Sequence, residues 1–334
     1  LGRLGALLTA IGLLAAVLVL ATVVGDSSEL KNLLRGLHWS SLIILVSLAI
    51  LDHALRYWRW GLLLRRVDSC EFNRSTAILL FLAGSLLIFT PARIGEIAKS
   101  VYARDFFNIP VATSLPVLLV ERLADIFVMA LLASLGLLLL GKPLNLVLGS
   151  STIGIVLVTI IFRRPLLNWG TRWSMSRFGT DSRLGQMLNL LNDSHSRLQS
   201  RDALGINLTL GTAAWVTEVT IFFFSLFAVG IPLSLHLFTV ALTVFPLASL
   251  GGSLSFLPGG LGVTEGGIVA LGILLGDLPQ EAVVLSALLT RLVILGIVVI
   301  AGVVSVLILR QKYPDAKSEL VLIDQGSIGG NDGV

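Results

Sequence analysis

The chain has 334 residues, 55% hydrophobic and 13% charged, with a net charge of +4 and a mean hydropathy of +0.93. Soluble domains carry about 25% charged residues, so a soluble globular protein is excluded, and so small a net charge gives no basis for binding nucleic acid. A single cysteine, Cys70, excludes an internal disulfide, and the four histidines are too scattered for a metal site; no cofactor is expected.

The first apolar run, Leu4–Val24, lies behind Arg3. It is longer than a signal-peptide core of roughly 7–15 residues and no small-residue cleavage site follows, so it reads as a transmembrane helix. Ser40–Leu64 is the second span. Asp52 precedes Arg56 by four residues, a spacing for a structural pair, while Arg59, Arg65 and Arg66 read as side chains that snorkel to inner headgroups. Ser75–Thr90 is apolar but stops at Pro91, and the charged stretch Ala92–Asn108 follows with Arg93, Glu96, Lys99 and Arg104. Ala112–Leu140 is a long span carrying Glu121, Arg122 and Asp125. Its end, Gly136 to Pro143, nearly spells a nucleotide-binding loop. Proline stands where a magnesium ligand is needed, and four leucines occupy the loop, so ATP binding is rejected.

Leu144–Phe162 spans next. The segment 163–202 is the longest polar stretch, with seven arginines and three aspartates. Leu184, Met187, Leu188 and Leu191 fall on one helical face, and Trp169 and Trp173 suit an interface. An amphipathic helix on the inner leaflet, attracted to anionic lipid, is expected there. Ala203–Gly230 spans with Glu218 at its middle. Leu235–Leu257 is apolar, stops at Pro258, and is followed by the glycine-rich Gly259–Gly276, which carries Glu265 and has only about ten apolar residues after its glycine cluster, too few to span. Glu281–Arg310 is the last span and carries Arg291. The tail 313–334 is expected to be disordered.

These elements give an all-α polytopic membrane protein with one helical domain over 1–312: six full transmembrane helices plus two re-entrant broken-helix hairpins. With both hairpins turning back to the side they enter, the arginine-rich loops fall on one face, as the positive-inside rule requires. Both termini are then cytoplasmic, in the inner (plasma) membrane of a cell. Two ordinary spans kinked at proline are the alternative. The two breaks resemble each other: Gly84, Leu87, Phe89, Pro91 and Gly95 align with Gly251, Leu254, Phe256, Pro258 and Gly262. Arg122 lies ten residues after Ala112, and Arg291 ten residues after Glu281. The pattern is that of an inverted repeat, 75–140 against 235–310, and such paired interrupted segments point to a midplane site in transporters.

An ionisable side chain at the bilayer centre costs about 2.5–3.5 kcal/mol. Arg93, Glu96, Lys99, Glu121, Arg122, Asp125, Glu265 and Arg291 are therefore either a structural network that neutralises itself or a site facing a cavity. Pro258, Gly259 and Gly260 likewise either permit close helix packing or bare backbone N–H groups for an anion.

Three stretches, Thr90-Pro-Ala-Arg93-Ile-Gly95-Glu96-Ile-Ala-Lys99, Glu121-Arg122-Leu-Ala-Asp125 and Leu257-Pro-Gly-Gly-Leu-Gly-Val-Thr-Glu265-Gly, together resemble the lysylphosphatidylglycerol synthase transmembrane-region family. That family includes the flippase half of bacterial multiple-peptide-resistance proteins and stand-alone relatives. The resemblance runs from about Leu4 to Arg310. It implies a flippase or transporter for a phosphate-bearing lipid, of aminoacyl-phosphatidylglycerol or polyprenyl-phosphate-sugar type. It implies as site residues Arg93, Glu96, Lys99, Glu121, Arg122, Asp125 and Glu265; Arg291 rests on the repeat. The aminoacyl-transferase domain of the fused proteins is not in this sequence, so synthase activity is not expected. The expected partners are the substrate lipid, anionic inner-leaflet lipids and a second copy of the chain in a homo-oligomer. The competing classes are a polytopic lipid-linked glycosyl- or acyltransferase and a small-solute secondary transporter.

Overall fold

The computed structural model describes residues 38, 40–69, 72–90, 95–162 and 183–313. Among them the chain is helical, with no strand. The expected first span Leu4–Val24, Arg93 at the first break, Trp169 and Trp173, and the tail beyond Tyr313 lie outside the described residues.

The helices are α1 (Ser40–Val67), α2 (Arg74–Ser85), α3 (Ala98–Phe107), α4 (Val111–Leu139), α5 (Leu144–Phe162), α6 (Arg183–Leu198), α7 (Arg201–Ala228), α8 (Leu235–Leu254), α9 (Val263–Gly276) and α10 (Gln280–Lys312). Short 3-10 turns at Leu86–Phe89 and Pro258–Gly260 mark the two breaks. Small polar residues start several helices. The Asn73 side chain accepts from the Ser75 and Thr76 amides at the head of α2. Ser200 caps α7 and Ser234 caps α8 in the same way, each filling amides that a helix start leaves unpaired.

Among the described residues six helical runs are long and apolar enough to cross a membrane: α1, α4, α7, α8, Pro258–Gly276 and α10. This set differs from the six full spans read in the sequence: Leu144–Phe162 is not in it, and α8 and Pro258–Gly276 are. The glycine-rich follower of the second break is expected to be too short to span, yet Pro258–Gly276 gives 19 residues of sufficient apolarity. The glycines do not end the helix, because they are packing positions: a Cβ on Gly267 would sit 3.1 Å from that of Ala248 on α8. At the first break the apolar limb Arg74–Phe89 is shorter than the spans.

Packing relates the two halves reciprocally. The first limb of the first hairpin, α2, packs on α10, the long helix that follows the second hairpin. The first limb of the second hairpin, α8, packs on α4, the long helix that follows the first. Each long helix makes room with a glycine: a Cβ on Gly302 of α10 would meet Leu86 at 2.9 Å, and one on Gly136 of α4 would overlap Thr243 of α8. The two breaks also touch, the turn Leu86–Phe89 against Pro258–Gly260.

Two apolar clusters hold the bundle. One is built around Phe222, Phe245, Val240 and Ile221; the other joins Leu63, Leu80, Phe81, Ile109 and Leu198. The outside is apolar too, with Ile43, Leu274 and Ile300 all more than half exposed. An exposed apolar surface on this scale marks contact with lipid. In α6, Met187 is exposed, but the last turn docks into the bundle, with Ser194, His195 and Leu198 buried. Arg197 donates to the carbonyl of Val67 at 3.3 Å, one of the carbonyls α1 leaves open at its end. The amphipathic segment is thus partly a structural strut, not solely a float on the leaflet.

Candidate functional site

Positions 52, 56 and 59 recur along one face of α1. Against them stand Glu121 and Asp125 of α4 and Glu218 of α7, and the side chains interlock. Arg56 Nε donates to both oxygens of Asp52, at 2.9 and 3.0 Å. Its Nη2 donates to Glu218, its Nη1 lies 3.7 Å from Asp125, and its guanidinium covers the Trp215 ring at 5.5 Å. Arg59 Nη1 donates to Asp125 at 2.7 Å, and its Nε to Glu121 at 3.3 Å.

Asp125 is the hub, since Arg122 Nη1 also reaches it at 3.2 Å. One carboxylate thus faces three guanidiniums. Low dielectric makes such pairing obligatory, because an isolated charge there is costly.

The expectation that Arg59 snorkels to the membrane surface is overturned. Its side chain is only 1% exposed and is held inside the protein by two carboxylates. Gly211 of α7 provides the room: a Cβ there would sit 2.6 Å from Arg59 Nη1. Arg59 and Gly211 are functional-site residues that the sequence reading misses. The signal was present in the spacing, since Arg59 falls seven residues after Asp52 and so shares the face of the Asp52–Arg56 pair.

The hairpin breaks join this network in matching ways. Arg122 lies 11 residues after the start of α4, and Arg291 lies 11 residues after the start of α10. Each binds the carboxylate that follows the proline break in its own half. Arg122 Nη2 is 3.2 Å from Glu96, and Arg291 Nε donates to Glu265. Arg291 also donates to the carbonyl of Gly259. Around the first break, Lys99 lies 3.8 Å from Glu96 and over the face of Phe81 at 4.3 Å. Thr90 ties the turn together: its hydroxyl donates to the carbonyl of Leu87 at 2.8 Å and accepts from the Gly95 amide at 2.6 Å.

The glycine tip of the second break differs from one of its two expected roles. Bare N–H groups are expected as an anion nest. Instead Gly260 N–H donates to the Leu257 carbonyl at 2.9 Å, and Leu261 N–H to that of Pro258 at 3.1 Å. Gly262 N–H donates to Glu265 at 2.6 Å, so the Glu265 side chain reaches back over the start of α9. These amides are consumed internally, and at Gly260 the backbone is closely packed. Gly260 has φ +67°, and a Cβ there would lie 2.8 Å from Thr264 Oγ1, so both backbone and space require glycine.

Of the expected residues, Glu96, Lys99, Glu121, Arg122 and Asp125 come together in one cluster. Pro258, Gly259, Gly260, Glu265 and Arg291 come together at the second break, and Arg93 lies outside the described residues. Among the site cations described, the Arg122 side chain is the most exposed at 30%, against 15% for Arg56, 12% for Arg291, 5% for Lys99 and 1% for Arg59. Its Nε is buried and has no hydrogen-bond partner.

A UPF0104 membrane protein of Methanothermobacter thermautotrophicus is 23% identical over 286 residues, covering 79% of this chain and 82% of that protein. The family model for the lysylphosphatidylglycerol synthase TM region matches residues 7–302, a stretch that takes in both broken hairpins, both arginine–carboxylate pairs and the α1 network. The chain is therefore a multi-pass membrane protein of the lysylphosphatidylglycerol synthase TM-region family.

Proposed function

We propose that this protein is a flippase that carries a phosphate-bearing lipid between leaflets of the inner (plasma) membrane, and that it is not an enzyme. One observation carries the reading. Two broken hairpins meet tip to tip, and each presents a carboxylate to an arginine at the same depth of its own long helix, Arg122–Glu96 and Arg291–Glu265. Interrupted helices with polar groups at the break are how transporters build a site inside the bilayer. In this reading both hairpins are re-entrant and both termini are cytoplasmic.

Arg122 is the cation best placed to meet a headgroup, because its side chain is the most exposed among the site cations described. A guanidinium suits a phosphate because its donors match two oxygens at once. Lys99 and Arg291 complete the path, and Glu96, Glu121, Asp125 and Glu265 hold the cations until the headgroup replaces them. The tails remain in lipid. Aminoacyl-phosphatidylglycerol and polyprenyl-phosphate sugars both carry such a headgroup.

The test is leaflet exchange of short-chain fluorescent lipids of several headgroups in liposomes holding the purified protein, read by external quenching. Exchange of a phosphate-bearing lipid, lost in Arg122→Gln, is expected without any new product. No exchange with or without a proton gradient, or a product formed from labelled donor, refutes it in favour of a transferase. Transport of a water-soluble solute instead favours a secondary transporter. Topology is tested separately by single cysteines at the exposed positions Asn108 and Gln280 in a Cys70→Ser background. Labelling of both from the same side refutes the inverted arrangement.

A further inference from the structure

The end of α1 carries three arginines in different states. Arg59 is buried among carboxylates, and Arg66 pairs with Asp202 at 3.5 Å. Arg65 has no carboxylate within ion-pair distance among the described residues, and the same holds for Arg74 at the start of α2. Both line one cavity of about 330 Å³ together with Tyr57, Trp58, Leu62 and Phe72, and Gly61 forms part of its wall. The Arg65 guanidinium covers the Phe72 ring at 5.1 Å. A Cβ built on Gly61 meets nothing within 4 Å, so the space there is open.

The cavity continues onto lipid-facing surface. Leu51, Trp58 and Leu62 are 46%, 59% and 41% exposed, and their spacing of seven and four residues sets them along one face of α1. The result is an apolar track that ends at two guanidiniums, unpaired with any carboxylate among the described residues and flanked by aromatic rings. Tryptophan and tyrosine beside arginine are the side chains of the membrane–water boundary. The volume lies at the lower end of the range of small-molecule pockets, about 300–1,000 Å³.

We propose that this groove binds the headgroup of an anionic phospholipid from the surrounding leaflet, with Arg65 and Arg74 gripping the phosphodiester and one chain lying along Leu62, Trp58 and Leu51. The charge complementarity selects the occupant: two cations with no carboxylate partner among the described residues attract an anion, and the apolar track selects one that carries a chain. The site is separate from the buried network, and its occupancy goes beyond the flippase reading.

The test measures binding and not transport, so its failure leaves the flippase reading untouched. The full chain is placed in phosphatidylcholine vesicles containing a minor fraction of brominated phosphatidylglycerol, or the same fraction of brominated phosphatidylcholine. Quenching due to Trp58 is obtained as the difference between the wild type and Trp58→Phe. The expected preference for phosphatidylglycerol is about thirtyfold, from two guanidinium charges at the membrane surface. Arg65→Gln/Arg74→Gln should abolish the preference. Gly61→Leu should also abolish it by filling the groove, with both charges kept and an unchanged melting profile. Equal quenching by the two lipids refutes the proposal. So does a preference that survives Gly61→Leu, which marks diffuse surface charge, and one removed by inorganic phosphate alone, which marks a free-anion site.

Discussion

Gly211→Ala offers a sharp test of the buried network, because two opposing effects can be weighed. In a helix interior alanine is better than glycine by about 1 kcal/mol, so α7 by itself gains. The new Cβ would lie 2.6 Å from Arg59 Nη1, and that nitrogen must withdraw by about 1 Å to reach ordinary contact. Its bond to Asp125, now 2.7 Å, then passes beyond hydrogen-bonding length. Losing a charge-assisted hydrogen bond in a buried site costs about 1.5–3 kcal/mol, so the net effect is destabilisation by about 0.5–2 kcal/mol.

In an Arg59→Met background the clash is gone, and the same substitution should stabilise by about 1 kcal/mol. Arg59→Met itself removes the ion-pair partner of Glu121 and the shortest bond to Asp125, which keeps Arg56 and Arg122, and is the costly step, about 3–5 kcal/mol. The measurement is a double-mutant cycle from reversible unfolding in mixed micelles, followed by tryptophan fluorescence. If Gly211→Ala has the same effect in both backgrounds, the glycine is not a socket for Arg59 and the network account fails.

Further outcomes follow from the same geometry. Arg291→Ala leaves the buried Glu265 side chain, 3% exposed, without its cation and should cost about 3–5 kcal/mol in the same unfolding assay; Arg291→Ala/Glu265→Gln should recover part of that loss. Arg122→Gln should cost much less, about 1–2 kcal/mol, because Asp125 keeps Arg56 and Arg59, while leaflet exchange falls; an equal cost for the two arginines would show that Arg122 is merely structural. Gly260→Ala should lower stability by about 1–3 kcal/mol through its steric contacts with Thr264 and the Gly252 backbone and its left-handed backbone, and adding Thr264→Ala should restore only part of the steric share. Asn73→Ala should lower stability by about 1 kcal/mol through loss of the cap on α2, with exchange unchanged.

Much of the helical framework is legible without coordinates, because a bilayer imposes a length and an apolarity that a chain must display openly. Runs such as Glu281–Arg310 announce themselves, and Pro91 and Pro258 locate the breaks because proline cannot continue a hydrogen-bonded turn. Equal depths of Arg122 and Arg291 can be counted along the chain, and the carboxylates after each break can be read beside them. The partners of these groups cannot be read in that way. Helical spacing says which residues share a face but not which face of another helix arrives opposite, and a charge gains a partner only through that docking. Arg59 is the clearest case. A long cationic side chain near a helix end can reach the surface or turn inward, and the sequence is compatible with both. Glu121 and Asp125 of α4, together with the missing Cβ of Gly211 on α7, decide the matter, and all three lie more than sixty residues away in the chain. The glycines of the second break are a similar case: their pattern fits an open nest or a tight seam, and only the approach of Thr264 and Glu265 closes it into a seam. Local chemistry wrote the helices and their interruptions into the sequence, whereas the pairing of buried charges depends on long-range packing that brings distant faces into contact.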